Sequence, residues 1–223
     1  MKDGKALYFT PAEFAVMLEL AGEPPCTFLQ AGGTLDDTDL MKAFISLFQR
    51  GLIAREKDRL AVSGEGKMFA QLRGAPVAVV MRKLPGGGEF ICYAAENILF
   101  LVELTEAILT RQYRLRELDW SELAAWLFDA GLLYQPALAD EDAAELALLF
   151  ADELEENSGK VLFRLEKYRN GGELLEAYEL RLGKGGRLLY HANETECGTE
   201  IYTKEALLRM LTACFGKGSY DYC

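Results

Sequence analysis

TPAEFAVMLELAG (Thr10–Gly22) and DWSELAAWLFDAG (Asp119–Gly131) follow one scheme: a capping residue first, Glu fourth, Ala sixth, Leu ninth, Ala twelfth and Gly thirteenth. Thr10 and Asp119 can accept hydrogen bonds from the first turn, and Glu13 and Glu122 can accept from the capping residue's own N–H in return. Pro11 suits the first helical position, where a missing N–H costs nothing. Phe14, Met17, Leu18 and Ala21 form one apolar face in the first stretch, and Leu123, Trp126 and Leu127 form one in the second. Gly22 and Gly131 end the helices, and Pro24-Pro25 prevents resumption of the first. A strand-like piece precedes each, Ala6–Phe9 and Leu115–Leu118. TKEALLRMLTACFG (Thr203–Gly216) repeats the scheme more loosely after Glu200–Tyr202.

The rest of the chain fits around these helices. A second helix is expected over Asp36–Arg50, with Asp36, Asp37 and Asp39 at its positive end and Leu40, Phe44, Leu47 and Phe48 inward. Strands Leu52–Arg55 and Arg59–Val62 follow Gly51, and Ser63 is read as the cap of a third helix reaching Leu72. Val77–Leu84 and Glu89–Ala94 flank the turn Pro85-Gly86-Gly87-Gly88. Ile98–Leu104 and Ala107–Leu118 extend the meander, with partial helix over Leu104–Tyr113 as an alternative. Beyond the second capped helix, a helix over Asp140–Glu156 directs Leu146, Leu149, Phe150 and Leu154 to one side. Strands Val161–Tyr168, Leu174–Leu182 and Arg187–Ala192 precede a final helix, Thr203–Phe215.

This pattern predicts an α+β fold of two similar halves in one compact domain. The first half, 1–118, has winged-helix-like helices over 10–74 and a meander over 77–118. The second, 119–223, has helices over 119–156, a meander over 161–202 and a C-terminal helix over 203–216. Joining the meanders into a central antiparallel sheet about a pseudo-two-fold axis would hide two aggregation-prone edges.

The 223 residues are 50% apolar and 26% charged, enough apolar content for a core, which excludes a disordered chain. The longest apolar runs, such as Ile98–Val102, fall far short of the roughly 18 residues of a membrane span. No basic stretch leads into an apolar one at the start, and the five cysteines form no C-x-x-C pair. A cytoplasmic protein with reduced thiols is therefore expected. The net charge of −11 is concentrated: residues 121–159 carry ten acidic side chains and no basic one. Asp142, Glu145, Asp152, Glu153 and Glu156 form a candidate acidic face for steering a protein partner.

Chemistry is harder to find. With one histidine and scattered cysteines, no metal or cofactor site is expected. His191 has Glu194, Glu196 and Cys197 nearby in sequence, but a lone histidine at a strand end is read as a packed residue, and no catalytic residue is assigned. Gly183-Lys184-Gly185-Gly186 and Gly64-Glu65-Gly66-Lys67 lack the phosphate-loop pattern. A winged-helix-derived regulator is the alternative reading. It suffers because the reading helix starts with three aspartates and offers only Lys42, Gln49 and Arg50, while Glu56 and Asp58 offset the hairpin's Arg55, Lys57 and Arg59.

The stretches Leu7–Gly22, Leu47–Val62, Val77–Leu84 and Trp120–Leu133 resemble, in order and pattern, the EspG-type proteins associated with type VII (ESX) secretion. The resemblance spans most of the chain without a diagnostic motif. It implies a pseudo-symmetric α+β fold and a non-enzymatic cytosolic chaperone or adaptor that holds small helical-hairpin secretion substrates. It supplies no residues for the contact, so the acidic face is an assignment from the sequence alone.

Overall fold

The computed structural model describes residues 6–22, 36–72, 74–95, 98–107, 110–134, 147, 159–169, 172–184 and 186–216. It is a mixed helix and sheet fold. A large antiparallel sheet has strands in the order β1-β7-β6-β5-β4-β8-β9-β10-β11, and β2 and β3 form a separate hairpin. The strands are β1 Ala6–Phe9, β2 Ile53–Glu56, β3 Arg59–Val62, β4 Val77–Lys83, β5 Glu89–Ala95, β6 Ile98–Ala107, β7 Thr110–Leu118, β8 Lys160–Arg169, β9 Glu173–Leu182, β10 Arg187–Asn193 and β11 Cys197–Ile201. The helices are α1 Pro11–Ala21, α2 Asp37–Gln49, α3 Met68–Leu72, α4 Trp120–Asp129 and α5 Lys204–Phe215. The chain divides into two compact units: Met1–Ala78 with Ile91–Glu117 and Arg169–Gly172, and Val79–Phe90 with Leu118–Tyr168 and Glu173–Cys223.

In the first unit β1 pairs antiparallel with β7, Leu7 opposite Leu115 and Phe9 opposite Tyr113. This register turns Phe9 and Tyr113 towards α1. There the ring of Phe14 stacks on Tyr113 at 4.3 Å and meets Phe69 edge-on at 5.3 Å. Such aromatic pairs contribute about 0.5–1.5 kcal/mol each beyond their burial. The capping box of α1 is present: Thr10 accepts from Glu13 N–H at 3.2 Å, and Glu13 accepts from Thr10 N–H at 2.8 Å. Packing under α1 is so close that a Cβ on Gly66 would lie 2.3 Å from the Leu52 carbonyl oxygen and 2.9 Å from Met17 Cε.

Three expectations in this unit are corrected. Ser63 does not cap a helix with its side chain; its hydroxyl donates to the Gly51 carbonyl at 2.8 Å, and a 3-10 turn over Gly64–Lys67 leads into the short α3. The helical alternative for Leu104–Tyr113 gives way to two strands, β6 running through Ala107. Phe48 lies on the outside of α2, whose buried side is carried by Ala43 and Leu47, with Leu40 and Phe44 half-buried.

In the second unit β10 pairs antiparallel with β9 on one side and β11 on the other. Leu180 and Leu189 stand opposite each other in the β9–β10 register and are both buried. Helix α4 buries Leu123, Ala124, Trp126 and Leu127, and the Trp126 ring meets Phe90 edge-on at 5.1 Å. Helix α5 buries Ala206, Leu207, Met210, Leu211, Cys214 and Phe215. Near the end of α5, Lys167 Nζ donates to the Ala213 carbonyl, a cation at the negative helix terminus. The α4 capping box joins Asp119 and Glu122 at 2.8 and 3.0 Å. The expected helix over Asp140–Glu156 lies outside the described residues.

Candidate functional site

The acidic candidates Asp142, Glu145, Asp152, Glu153 and Glu156 also lie outside the described residues. The groups considered for DNA contact do have described positions. Arg50 Nη1 reaches Glu13 Oε1 at 3.2 Å, and its Nη2 donates to the Tyr8 carbonyl at 2.8 Å. Ser46 donates to the same Glu13 oxygen at 2.6 Å. Arg50 thus ties α2 to β1 and α1 instead of extending towards phosphate. Arg55 turns back onto its own hairpin, 3.7 Å from Asp58 and donating to the Lys57 carbonyl at 3.2 Å. Lys42 lies 4.0 Å from Asp39 on an exposed surface.

His191 finds a partner that sequence proximity did not suggest. Its ring stacks on Tyr178 at 4.6 Å, and its Nε2 lies 3.7 Å from Glu176 Oε2. Tyr178 donates its hydroxyl to the same Glu176 oxygen at 2.8 Å. The β9–β10 register places His191 opposite Tyr178, so strand pairing brings in a residue fifteen positions back. Burial, then this bond to Glu176, pushes the Tyr178 hydroxyl's pKa up, so it stays a neutral donor. Burial likewise raises the Cys92 and Cys214 thiols, leaving them as apolar packing groups. Among the described residues no group of three or more metal-ligating side chains converges.

Two surfaces suit a macromolecular partner better than a small reactant. The first is the outer side of α2. Met41, Ile45 and Phe48 occupy i, i+4 and i+7 and are 63%, 52% and 53% exposed. That spacing makes one apolar stripe on a helix whose opposite side already holds the core through Ala43 and Leu47. Single exposed apolar residues are ordinary, but three in a row on one helix face are a mark of interaction surfaces. The period of α2 groups Phe48 with Leu40, Phe44 and Leu47; the structure places it outside, in line with Met41 and Ile45.

The second surface is the row of arginines and glutamates on the second unit's strands. Arg82 bonds Glu89 and Glu166; Arg164 lies 3.9 Å from Glu166 and bonds Glu179; Arg181 bonds Glu179 and stacks 4.7 Å over the Tyr190 ring. Arginine and glutamate alternate within β8 and β9 as well as between strands, so the row compensates itself. Glu179 is buried, whereas the Arg82–Glu89 pair is more open and contributes only about 0–1 kcal/mol. On the other face of β10, beside β11, lies an open hollow of about 210 Å³ lined by Leu189, His191, Glu196, Cys197 and Glu200 among others. Gly198, opposite His191, leaves open space where a side chain would stand.

No helix among the described residues is long and apolar enough to cross a membrane. No family model matches the chain, and no curated protein matches its sequence. Its fold is similar to a chain in the structure of the Mycobacterium tuberculosis type VII secretion system chaperone EspG5 in complex with the PE25-PPE41 dimer. The similarity has a TM-score of 0.53 at 11% identity and covers 94% of both chains. At that identity the likeness establishes a shared fold.

Proposed function

We propose that this chain is a cytoplasmic protein-binding adaptor or chaperone that holds small helical secretion substrates of the type VII kind and carries out no chemistry. The observation that carries the reading is the fold similarity over 94% of both chains to the structure of a chaperone complex. The apolar stripe of α2 supports it, since a helical substrate offers an apolar face of its own. The acidic residues Asp142, Glu145, Asp152, Glu153 and Glu156 are the second proposed contact, steering a basic region of the substrate. We further propose that residues 1–118 and 119–223 are tandem descendants of one unit related by a pseudo-two-fold axis. In support, β4-β5-β6-β7 and β8-β9-β10-β11 are both four-strand runs in chain order, each followed by a capped helix. The winged-helix-like portion, 10–74, serves on this reading as scaffold for the α2 stripe.

A photo-crosslinking residue placed at Ile45 or Glu153, with Lys57 as control, tests the role in the protein's own cells. The expected adduct is a small helical protein at Ile45 and Glu153 and none at Lys57. Adducts to nucleic acid, or none at either face, would overturn the holding role; the former would restore the regulator.

A further inference from the structure

Helix α2 is apolar on two opposite sides. Ala43 and Leu47 are buried, while Met41, Ile45 and Phe48 are each more than half exposed. With 3.6 residues per turn, the three outward residues fall within a sector of about 60° on the side away from Ala43. Their i, i+4, i+7 spacing is one half of a helix–helix contact.

The charges beside this stripe are unequal along its length. Lys42 and Gln49 lie on one flank, and Asp37 lies on the other, at the start of the helix; all three are exposed. Lys42 approaches Asp39 at 4.0 Å with 73% and 54% of the two side chains exposed, an ion pair that water competes for. At the far end Arg50 is turned towards Glu13 and the Tyr8 carbonyl. The stripe therefore has an anion at its start, a cation towards its middle and a neutral amide near its end.

That order distinguishes between occupants. A second copy of α2 set antiparallel about Ile45 would place Gln49 beside Lys42 and offer Asp37 no cation from α2. A parallel copy would bring Lys42 against Lys42. A different helix can answer both charges, with an acid beside Lys42 and a base over Asp37.

We propose that the outer side of α2 docks an amphipathic helix whose apolar stripe is flanked by glutamate or aspartate at its middle and by lysine or arginine at the end lying over Asp37. Charges beside an apolar seam choose among helices whose seams are equally apolar. The inference rests on the holding role proposed above and specifies which helix of a substrate fits.

The test uses the full chain and two fluorescein-labelled helical peptides of identical composition with the same leucine stripe. One has glutamates beside the middle of the stripe and lysines at both ends, and the other has the two exchanged, so the direction of binding does not matter. The glutamate-centred peptide should bind about fivefold more tightly. That preference should fade with salt. Lys42→Glu with Asp37→Lys should reverse it, and Lys42→Glu alone, which leaves the start of the helix unaltered, should bring the two affinities together. Ile45→Asp with Phe48→Asp should abolish binding of both peptides while the melting temperature holds. Equal affinity of the unaltered chain for both peptides, no binding of either, or binding that survives Ile45→Asp with Phe48→Asp would overturn the inference. None of these outcomes removes the holding role, which fails separately if the chain does not co-elute with a whole substrate.

Discussion

Glu13 and Glu122 hold the same place in two helix starts written in the same scheme, and their surroundings differ. Each accepts the N–H of its capping residue, Thr10 or Asp119. Glu13 is buried and also takes Ser46 and Arg50, so α1, α2 and β1 meet on one carboxylate. Glu122 is half-buried, and its described bonds end with the cap. A local code therefore sets where each helix begins, while the tertiary partners decide how much of the fold depends on it.

The largest expected effect tests that difference directly. Glu13→Ala leaves Ser46, Arg50 and the Thr10 N–H without their acceptor and should cost about 3 kcal/mol in urea denaturation. Glu122→Ala removes a cap bond only and should cost under about 1 kcal/mol. Equal losses would break the contrast. Gly66→Ala comes next, at about 2 kcal/mol, because its methyl must displace the Leu52 carbonyl and Met17 packed under α1.

Asp119 sharpens the comparison through pH. Its carboxyl is held below the ordinary aspartate range, chiefly by the Glu122 backbone N–H and then by the Ser121 hydroxyl. A depressed folded-state pKa stabilises the fold above the ordinary carboxylate range, and that contribution is lost as pH falls through the lowered value. Asp119→Asn should remove this acid-side slope from a stability-against-pH series while costing under about 1 kcal/mol at neutral pH. The smallest effect is expected for Ile45→Ser with Phe48→Ser: a change within about 0.5 kcal/mol, because their side chains face solvent.

The legible parts of the fold are those with local causes. The capping boxes, the Gly86-Gly87-Gly88 turn and the alternating strands were all readable because each depends on a few adjacent residues. Only Glu200–Tyr202 reads as strand-like before the last helix; the structure extends that strand back to Cys197, and pairing with β10 supplies the order around Gly198. Both sides of α2 carry apolar residues, and periodicity alone does not say which side meets the core, so Phe48 reads as inward from the sequence but lies outside. The contact between His191 and Glu176 depends on register across two strands, information that no single stretch holds. The acidic face was visible as a charge run, and it remains part of the proposed contact.

Co-expression of the chain with a small helical-hairpin protein of the type VII substrate kind, followed by size-exclusion chromatography with light scattering, tests the holding role most directly. The account predicts one mixed peak that separates into its components when Ile45 and Phe48 are both replaced by aspartate. Separate peaks for the unaltered proteins, or retention of the chain on duplex DNA in a steeply salt-dependent way, would contradict it.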